Sequence, residues 1–390
     1  MAYSETVFHA YRHMIKSELY LVMLAFTLGA FIAVMSIPPI LRVAKTKKLF
    51  DFTGQRHIHQ EKIPRLGGVA IFLGFLLSTL LSSDGLPFDC LKCITTSVIL
   101  LFFIGLMDDV ITVSPAKKLM VQVLASLIVT LLGGIRITDL HGIFGIFSLH
   151  PAIAVAGTVF LMVTIINSFN LIDGIDGLAS GLAIFASLFF GSWFLTAGFP
   201  EYAIMAFALT GSLSGFFLFN VFGRQNKLIM GDNGSLVIGL LVAVLAVQFI
   251  ELHKTGDIHY AVKSAPVVSF AIISIPMIDL LRVMVVRMKN RRSPFSADTG
   301  HIHHLMLKIW PVHLTITLFL VAAQAFIVWF AMTLTWLNLP ITLQFGMVFL
   351  LTLMVSLFPK MVLWIRGRSR IPHPGNERGA FPQPEHSVFP

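Results

Sequence analysis

Four short clusters of acidic or imidazole side chains stand out in this sequence. They are Asp108 and Asp109 in GLMDD, Asp173 and Asp176 in NSFNLIDGIDGLA, Asp232 in IMGDNGSL, and His301, His303 and His304 in HIHH. Carboxylate oxygens are the ligands that Mg²⁺ prefers, and it commonly binds one or two of them together with substrate phosphates. Basic side chains beside such oxygens suit a pyrophosphate. These residue types therefore predict metal-dependent phosphoryl transfer.

Each acidic cluster also has a purely structural interpretation. Two adjacent acids at a helix end are often a solvated terminus, although they repel unless a cation lies between them. Asn170, Asp173 and Asp176 recur every three residues, which places them on one face if the segment is helical. Gly174 and Gly177 make a turn that leads into a helix an equal alternative. In that case the segment is an Asx-rich turn that caps the following helix.

The HIHH cluster is open to two interpretations. His301 and His304 are three residues apart and can share a helical face. Zinc binding is one interpretation, but no thiolate or second histidine cluster completes such a site. An anion-binding patch formed with Arg291 and Arg292 is favoured.

The elements that position these clusters are membrane spans. Only 12% of the 390 residues are charged, 56% are hydrophobic, and the mean hydropathy is +0.85, whereas soluble proteins carry about 25% charged residues. This composition excludes a soluble enzyme, a disordered protein and a nucleic-acid-binding domain. The net charge of +9 is explained by basic residues that face anionic lipid at a bilayer surface.

Apolar stretches predict an all-α polytopic membrane protein with about eleven transmembrane helices. The predicted spans are Leu19–Leu41, Leu66–Ser82, Cys93–Met107, Leu119–Gly133, Ile153–Ile166, Leu178–Ala197, Tyr202–Phe219, Ser235–Ile250, Pro266–Val286, Leu314–Leu334 and Ile341–Trp364. Residues 1–365 form the membrane domain, and residues 366–390, rich in Pro, Gly and Arg, are predicted to be a disordered tail.

The positive charges predict the orientation of this bundle. Of the 28 lysines and arginines, 22 fall on the side of the odd-numbered loops and the C-terminus. The positive-inside rule makes that side cytoplasmic and the N-terminus periplasmic. All four clusters fall on the same side, which predicts one site at the cytoplasmic mouth of the bundle. An ion-coupled transporter is the alternative of another class, but its ligands usually lie near the bilayer midplane.

Two smaller features are explained without a functional role. Asp279 lies inside a predicted span three residues before Arg282, and an i, i+3 ion pair accounts for both. Cys90 and Cys93 form a C-x-x-C pair, for which incidental thiols are favoured over a redox motif.

Read together and in order, the motifs closely resemble those of the polyprenyl-phosphate N-acetylhexosamine-1-phosphate transferases, whose bacterial members start cell-envelope glycan synthesis. The resemblance covers Lys62-Ile-Pro-Arg-Leu-Gly-Gly68, Asp108-Asp109, Asn170-Leu-Ile-Asp-Gly-Ile-Asp-Gly-Leu178, Asn220, Met230-Gly-Asp-Asn-Gly-Ser235, and Arg291-Arg-Ser-Pro-Phe with His301-Ile-His-His304. It implies transfer of a sugar-1-phosphate from a UDP-sugar to undecaprenyl phosphate at a bacterial inner membrane, with release of UMP. It also implies Mg²⁺ as cofactor, with Mn²⁺ as the alternative, and leaves a homodimer open.

The resemblance also implies roles for individual residues. They are Asn170 and Asp232 as metal ligands, Asp108 and Asp109 as the catalytic acid pair, Asp173 and Asp176 near the metal and the uracil, Asn220 on the uridine side, Lys118 at the pyrophosphate, and Arg291, Arg292, His301, His303 and His304 at the sugar and diphosphate. The lipid phosphate attacks either directly or through an aspartyl-phosphate. H-I-H-H after R-R-S-P-F resembles the branch that uses UDP-N-acetylglucosamine; the alternatives are UDP-N-acetylmuramoyl-pentapeptide and other UDP-N-acetylhexosamines.

Overall fold

The computed structural model describes residues 2–47, 63–255, 260–291 and 300–367, and it describes side chains from Glu18 onward except that of Thr255. Within these residues the chain forms twelve α-helices and one β-hairpin. The elements are α1 (Ala2–Lys47), α2 (Gly67–Ser82), α3 (Leu91–Ile111), α4 (Pro115–Leu127), β1 (Asp139–Ile143), β2 (Ile146–Ser148), α5 (Pro151–Ile172), α6 (Leu178–Thr196), α7 (Pro200–Phe222), α8 (Asp232–Leu252), α9 (Ala265–Lys289), α10 (Ile302–Leu307), α11 (His313–Trp336) and α12 (Ile341–Ile365). A π-helical turn (Ile128–Leu132) continues α4, and a 3₁₀ turn (His253–Thr255) follows α8.

Ten of the described helices are long and apolar enough to cross a membrane, which confirms the predicted polytopic helical fold. The remaining predicted span, Leu66–Ser82, corresponds to α2, an apolar helix of 16 residues. The predicted tail lies outside the described residues beyond Gly367. The sidedness of the termini stays a prediction.

Several helices extend beyond their predicted apolar spans. Polar residues that follow those spans in the sequence therefore lie at helix ends. Helix α3 continues to Ile111 and α5 to Ile172, because backbone hydrogen bonding continues past the apolar run. Helix α5 ends before Asp173 and α6 begins at Leu178. Asn170, Asp173 and Asp176 therefore do not share one helical face, and the alternative of a turn leading into a helix is confirmed.

A short β-hairpin between α4 and α5 was not predicted by the sequence analysis. Strands β1 and β2 pair antiparallel, with Asp139 opposite Ser148 and Ile143 opposite Ile146. The two intervening residues, Phe144 and Gly145, have φ values of 54° and 75°. Positive φ at both positions is typical of the type I′ turns that join tight hairpins.

Helix α8 forms the centre of the bundle. Its residues from Asn233 to Ile250 are buried except Gln248, and it contacts α2, α3, α5, α6 and α9. A helix that is apolar on every face belongs in the interior. The first residue of this central helix is Asp232. The ends of the neighbouring helices on that side of the bundle therefore surround its carboxylate.

Candidate active site

Four helix ends bring the predicted acids together at one end of the bundle. Asp108 and Asp109 lie in the last turn of α3, Lys118 in the first turn of α4, and Asn170 in the last turn of α5. Asp232 begins α8. We call these five residues the carboxylate cluster.

Lys118 is the centre of the carboxylate cluster. Its Nζ donates a hydrogen bond to Asp108 Oδ2 at 3.0 Å and a second one to Asp232 Oδ2. The side chains of Lys118 and Asp108 are each 17% exposed and that of Asp232 is 24% exposed, so a ligand from solution can reach them. The ammonium group separates two carboxylates that would otherwise repel each other.

Asn170 joins the cluster from α5. Its Nδ2 donates to Asp232 Oδ1 at 3.0 Å and to Ser235 Oγ at 2.9 Å. These contacts place the carboxamide of Asn170 directly beside the carboxylate of Asp232, although the two residues come from different helices. Ser235, which was not predicted as a site residue, fixes the orientation of the amide.

Asp109 differs from its neighbour Asp108, because its carboxylate holds the N-terminus of α8. Its Oδ1 accepts the backbone N–H of Asp232 at 3.1 Å, and its Oδ2 accepts the backbone N–H and side-chain Nδ2 of Asn233 at 2.9 and 2.7 Å. The first N–H groups of a helix have no partner within the helix, and a carboxylate there also interacts favourably with the helix dipole. Asp108 and Asp109 thus have different environments, although they are adjacent in the sequence and were predicted to act as a pair.

The sequence motif in the loop between α1 and α2, described from residue 63 to residue 68 and called here the first-loop motif, packs directly against the segment that leads into α8. Gly67 N donates to Ile229 O at 2.9 Å, Gly68 N to Met230 O at 2.8 Å, and Ile229 N to Pro64 O at 3.0 Å. These three bonds form a short extended pairing between segments that are far apart in sequence. The pairing holds the first-loop motif and the segment before α8 together at the same end of the bundle.

Gly231 is required at the start of α8. Its φ of +75° with ψ of 173° is a backbone conformation that side-chain-bearing residues avoid. A Cβ at this position would lie 2.6 Å from the carbonyl oxygen of Arg65 and 2.7 Å from Asp109 Oδ2. The glycine therefore lets the first loop, α3 and α8 meet.

Asp173 lies in the turn after α5, near the carboxylate cluster. Burial raises its pKa to about 8, and the negative charge of Asp232 is the next largest cause. The positive charge of Arg65 lowers the pKa of Asp173 in part. Arg65 is an exposed residue of the first-loop motif and was not predicted as a site residue.

Asp176 contacts two basic side chains that were not predicted from the sequence as its partners. Lys227 Nζ lies 2.6 Å from Asp176 Oδ2, and His313 Nδ1 lies 2.7 Å from the same oxygen. Burial raises the pKa of Asp176, but the hydrogen bonds from His313 and Lys227 outweigh it and hold that pKa below its usual value. These contacts tie the turn before α6 to α11 and to the loop after α7.

His301 is held inside the protein by the ion pair predicted in α9. Arg282 Nη2 lies 2.6 Å from Asp279 Oδ1, which confirms the i, i+3 pair. His301 Nδ1 lies 2.8 Å from Asp279 Oδ2, and the backbone N–H of Ile302 donates to Asp279 Oδ1. His301 precedes α10 instead of lying on it, so the predicted helical face shared with His304 does not form.

His303 packs against the turn that contains Asp173. A Cβ on Gly174 would lie 2.0 Å from His303 Nε2, so the ring touches this backbone. Burial, followed by the charge of His304, lowers the pKa of His303 to about 3. At neutral pH this ring therefore offers a hydrogen-bonding group and not a positive charge. His304 is half-buried and its ring lies 4.2 Å from that of His303.

Asn220 connects two backbone segments instead of facing the carboxylate cluster. Its Oδ1 accepts the N–H of Gly177 at 2.6 Å, and its Nδ2 donates to the carbonyl of Leu228 at 2.8 Å. The side chain is 5% exposed. Both ends of the carboxamide are thus used to position the start of α6 and the loop before α8.

The remaining predicted residues lie outside this network. Arg291 is exposed after the end of α9, and Arg292 lies outside the described residues. Cys90 and Cys93 are free thiols at the opposite end of α3 from Asp108.

The residues of the carboxylate cluster suit a hard divalent cation. No group of three His, Cys, Asp or Glu side chains with metal-binding geometry occurs among the described residues. Mg²⁺, however, commonly takes only one or two protein carboxylates and completes its shell with water and substrate phosphates. The carboxylate of Asp232 meets that requirement and already binds the Lys118 ammonium. The carboxamide of Asn170 lies beside it with Nδ2 toward Asp232, and its oxygen would become a second ligand if the amide turned over.

Comparison with known proteins places the chain among sugar-phosphate transferases. Residues 91–250 match glycosyl transferase family 4. The undecaprenyl-phosphate alpha-N-acetylglucosaminyl 1-phosphate transferase of Escherichia coli O157:H7 is 32% identical over 274 residues, which cover 68% of this chain and 71% of that protein. Its namesake from Salmonella typhi is 32% identical over 299 residues, 75% of this chain and 76% of the relative. The decaprenyl-phosphate N-acetylglucosaminephosphotransferase of Mycobacterium tuberculosis is 28% identical over 314 residues, 74% of this chain and 76% of that protein.

The apolar helical bundle and these matches define a multi-pass membrane phosphotransferase. The chain belongs to glycosyl transferase family 4, among the polyprenyl-phosphate N-acetylhexosamine-1-phosphate transferases. Enzymes of this family are generally metal-dependent. The expectation of an enzyme rather than a transporter is confirmed.

Proposed function

We propose that this protein transfers N-acetylglucosamine-1-phosphate from UDP-N-acetylglucosamine to undecaprenyl phosphate and releases UMP. The observation that carries the proposal is the carboxylate cluster, in which the Lys118 ammonium, the carboxylates of Asp108 and Asp232 and the carboxamide of Asn170 are in contact at a solvent-accessible end of a membrane bundle. A lipid phosphate and a soluble nucleotide can both reach such a position. The names of the relatives and the H-I-H-H motif support the choice of sugar.

The reaction needs one bond to form and one to break. An oxygen of the lipid phosphate attacks the β-phosphorus of the donor, and the bond between that phosphorus and the bridging oxygen breaks, so that UMP leaves. The lipid phosphate has a second pKa near 6 and is already mostly dianionic at neutral pH. A carboxylate base is therefore not required for this step.

Lys118 is the residue best placed to bind the diphosphate. Its ammonium is shared between Asp108 and Asp232, so it is oriented toward the centre of the cluster. Negative charge builds up on the phosphoryl oxygens during transfer, and fixed positive groups stabilise it. A bound Mg²⁺, or Mn²⁺ in its place, would neutralise phosphate charge, and we assign Asp232 and Asn170 as the residues that hold it.

Of the two adjacent acids, Asp108 is the better candidate for a nucleophile in a two-step reaction. Its carboxylate is partly exposed and touches Lys118, whereas all three hydrogen bonds to Asp109 come from the start of α8. An attack by Asp109 would require those bonds to break. Direct attack by the lipid phosphate needs neither acid as a nucleophile.

The carboxylate cluster is proposed to face the cytoplasm of a bacterial cell, where UDP-sugars are found. This follows the distribution of lysine and arginine along the chain. A reporter fused after Arg370 should read as cytoplasmic, and one inserted near Pro200 should read as periplasmic. The opposite pair of readings would place the cluster on the wrong side for its donor and would refute this assignment.

The substrate proposal is tested with purified protein, undecaprenyl phosphate, Mg²⁺ and a panel of UDP-sugars, with UMP release as the readout. UDP-N-acetylglucosamine should give the fastest release, ahead of UDP-N-acetylgalactosamine and UDP-N-acetylmuramoyl-pentapeptide. A different fastest donor would overturn the sugar assignment, and no UMP from any donor would overturn the reaction.

A matched pair of lysine variants tests the site itself. Lys117 is the exposed neighbour of Lys118, and both carry the same charge. Lys118→Met should lose most turnover, because it removes the cation that contacts Asp108 and Asp232. Lys117→Met removes an equal charge outside the cluster and should retain turnover. Equal effects of the two substitutions would show that only net charge matters.

A further inference from the structure

Arg136 lies in a groove at the opposite end of the bundle from the carboxylate cluster. The groove runs between the end of α4 with its π-helical turn and the start of α5, is open to the outside of the bundle, and has a volume of about 590 Å³. Apart from Arg136 its walls are apolar, with Leu127 and Leu131 on one side and Val155 and Ala156 on the other. This volume lies within the range of roughly 300–1,000 Å³ that is typical of ligand pockets.

The backbone fixes Arg136 in this groove. The flanking residues Ile135 and Ile137 are buried at 1% and 8% exposure. The N–H of Ile135 donates to the carbonyl of Val129, and the N–H of Ile137 donates to Thr158 Oγ1 at 3.0 Å. Both neighbours of Arg136 are thus held in the interior, while the Arg136 side chain lines the groove between α4 and α5.

The guanidinium of Arg136 has no ion pair or hydrogen bond within the part of the chain that the structure describes, although the residue is half-buried. A partly desolvated charge is costly unless it is paired, and arginine pairs most strongly with planar or tetrahedral oxyanions such as phosphate. The adjacent π-helical turn is a second unusual feature, because such turns occur frequently at functional sites.

The position of the groove restricts the source of the anion. Ala152 and Asn170 are eighteen residues apart on α5, which corresponds to about 27 Å along a straight helix. A bilayer core is about 30 Å thick, so the groove lies at the level of the opposite leaflet. A lipid with its phosphate at Arg136 is therefore distinct from an acceptor with its phosphate at the carboxylate cluster.

We propose that this groove binds an anionic phospholipid of the leaflet opposite the carboxylate cluster, with the phosphate at Arg136 and one acyl chain along Leu127, Leu131 and Ala156. The apolar walls match an acyl chain, and the unpaired arginine matches the headgroup. The site is independent of the proposed reaction, since no residue of it belongs to the carboxylate cluster.

Native mass spectrometry of the full chain in detergent tests the proposal. The probes are a phosphatidylglycerol and a phosphatidylcholine with the same acyl chains. The wild type should bind phosphatidylglycerol more tightly than phosphatidylcholine, and Arg136→Gln should weaken phosphatidylglycerol binding about tenfold, as expected for one charge-assisted hydrogen bond. Lys92→Gln is the matched control, because it removes an exposed charge at the same end of the bundle outside the groove, and it should bind like the wild type.

A second variant tests the groove itself. Ala156→Trp fills the apolar part and retains Arg136, so it should also weaken phosphatidylglycerol binding. The proposal is wrong if Arg136→Gln and Lys92→Gln weaken binding equally, or if Ala156→Trp binds phosphatidylglycerol like the wild type. It is also wrong if Ala156→Trp converts a dimer to a monomer without changing lipid binding, since the groove would then be an interface between two copies of the chain.

Discussion

Replacing Asp109 with asparagine tests whether this carboxylate holds the start of α8 or takes part in the reaction. Asparagine keeps one acceptor oxygen, which can retain both hydrogen bonds from Asn233, but it places an NH₂ group against the backbone N–H of Asp232. The substitution removes one charge-assisted hydrogen bond, about 1.5–3 kcal/mol. It also removes a negative charge at a helix N-terminus, about 0.3–1 kcal/mol.

The start of α8 should therefore be destabilised by about 2–4 kcal/mol, which corresponds to an opening equilibrium about 30-fold to about 1,000-fold larger. Hydrogen exchange read by mass spectrometry on peptides covering residues 231–235 measures this opening directly. The N–H groups of Asp232 and Asn233 should exchange faster in the variant by a factor in that range. Turnover should fall as well, because the Asp232 side chain is positioned by the same turn.

Asp108→Asn is the matched control. Asp108 accepts the backbone N–H of Val113 and the Lys118 ammonium, and its carboxylate makes no hydrogen bond to the backbone of α8. This variant should lose turnover and keep the exchange protection of residues 231–235. If Asp109→Asn loses turnover with that protection unchanged, Asp109 acts on the substrate and the positioning argument is refuted.

Three further predictions concern the carboxylate cluster and its supports. Asp232→Ala and Asn170→Ala should each abolish Mg²⁺-dependent UMP release, because each removes a proposed ligand from a site with few protein oxygens; wild-type turnover with an unchanged Mg²⁺ optimum would reject that assignment. Gly231→Ala should lower the thermal unfolding midpoint more than Gly134→Ala. Both glycines have positive φ, but only a Cβ at Gly231 would clash with a backbone carbonyl, so equal shifts would contradict the argument. Asp176→Asn should be less stable than the wild type at pH 7, and the difference should disappear as the pH falls below about 4. The pKa of Asp176 is depressed in the folded protein, so its contribution is present above the unfolded value of about 3.9 and is lost as it protonates; a difference that persists at low pH would show that the loss is not ionic.

The spans were predictable from sequence because membrane crossing requires long apolar runs, and these dominate the chain. The distribution of the motifs also predicted that they form one site at one end of the bundle. Asp108, Lys118, Asn170 and Asp232 do meet there. Both predictions depend on properties that are read locally along the chain. The hairpin between α4 and α5 is short and lacks such a signal, and it was missed.

Contacts between distant segments could not be predicted in the same way. The pairing of Asp176 with Lys227 and His313 depends on how α7 and α11 pack, and one sequence contains no record of that packing. The adjacency of Asp108 and Asp109 likewise suggested a single function, although successive residues of a helix point in different directions and reach different neighbours. Asn220 shows the same limit, because both of its hydrogen bonds go to backbone groups.

The most direct test of the central claim follows the two phosphorus atoms of the donor. Purified protein is incubated with undecaprenyl phosphate, Mg²⁺ and UDP-N-acetylglucosamine labelled either at the α- or at the β-phosphorus, and the lipid and aqueous fractions are counted separately. Transfer of a sugar-1-phosphate predicts that the β label moves to the lipid fraction and the α label remains in water as UMP. Transfer of the sugar alone would leave both labels in water as UDP, and that result would contradict the proposed reaction.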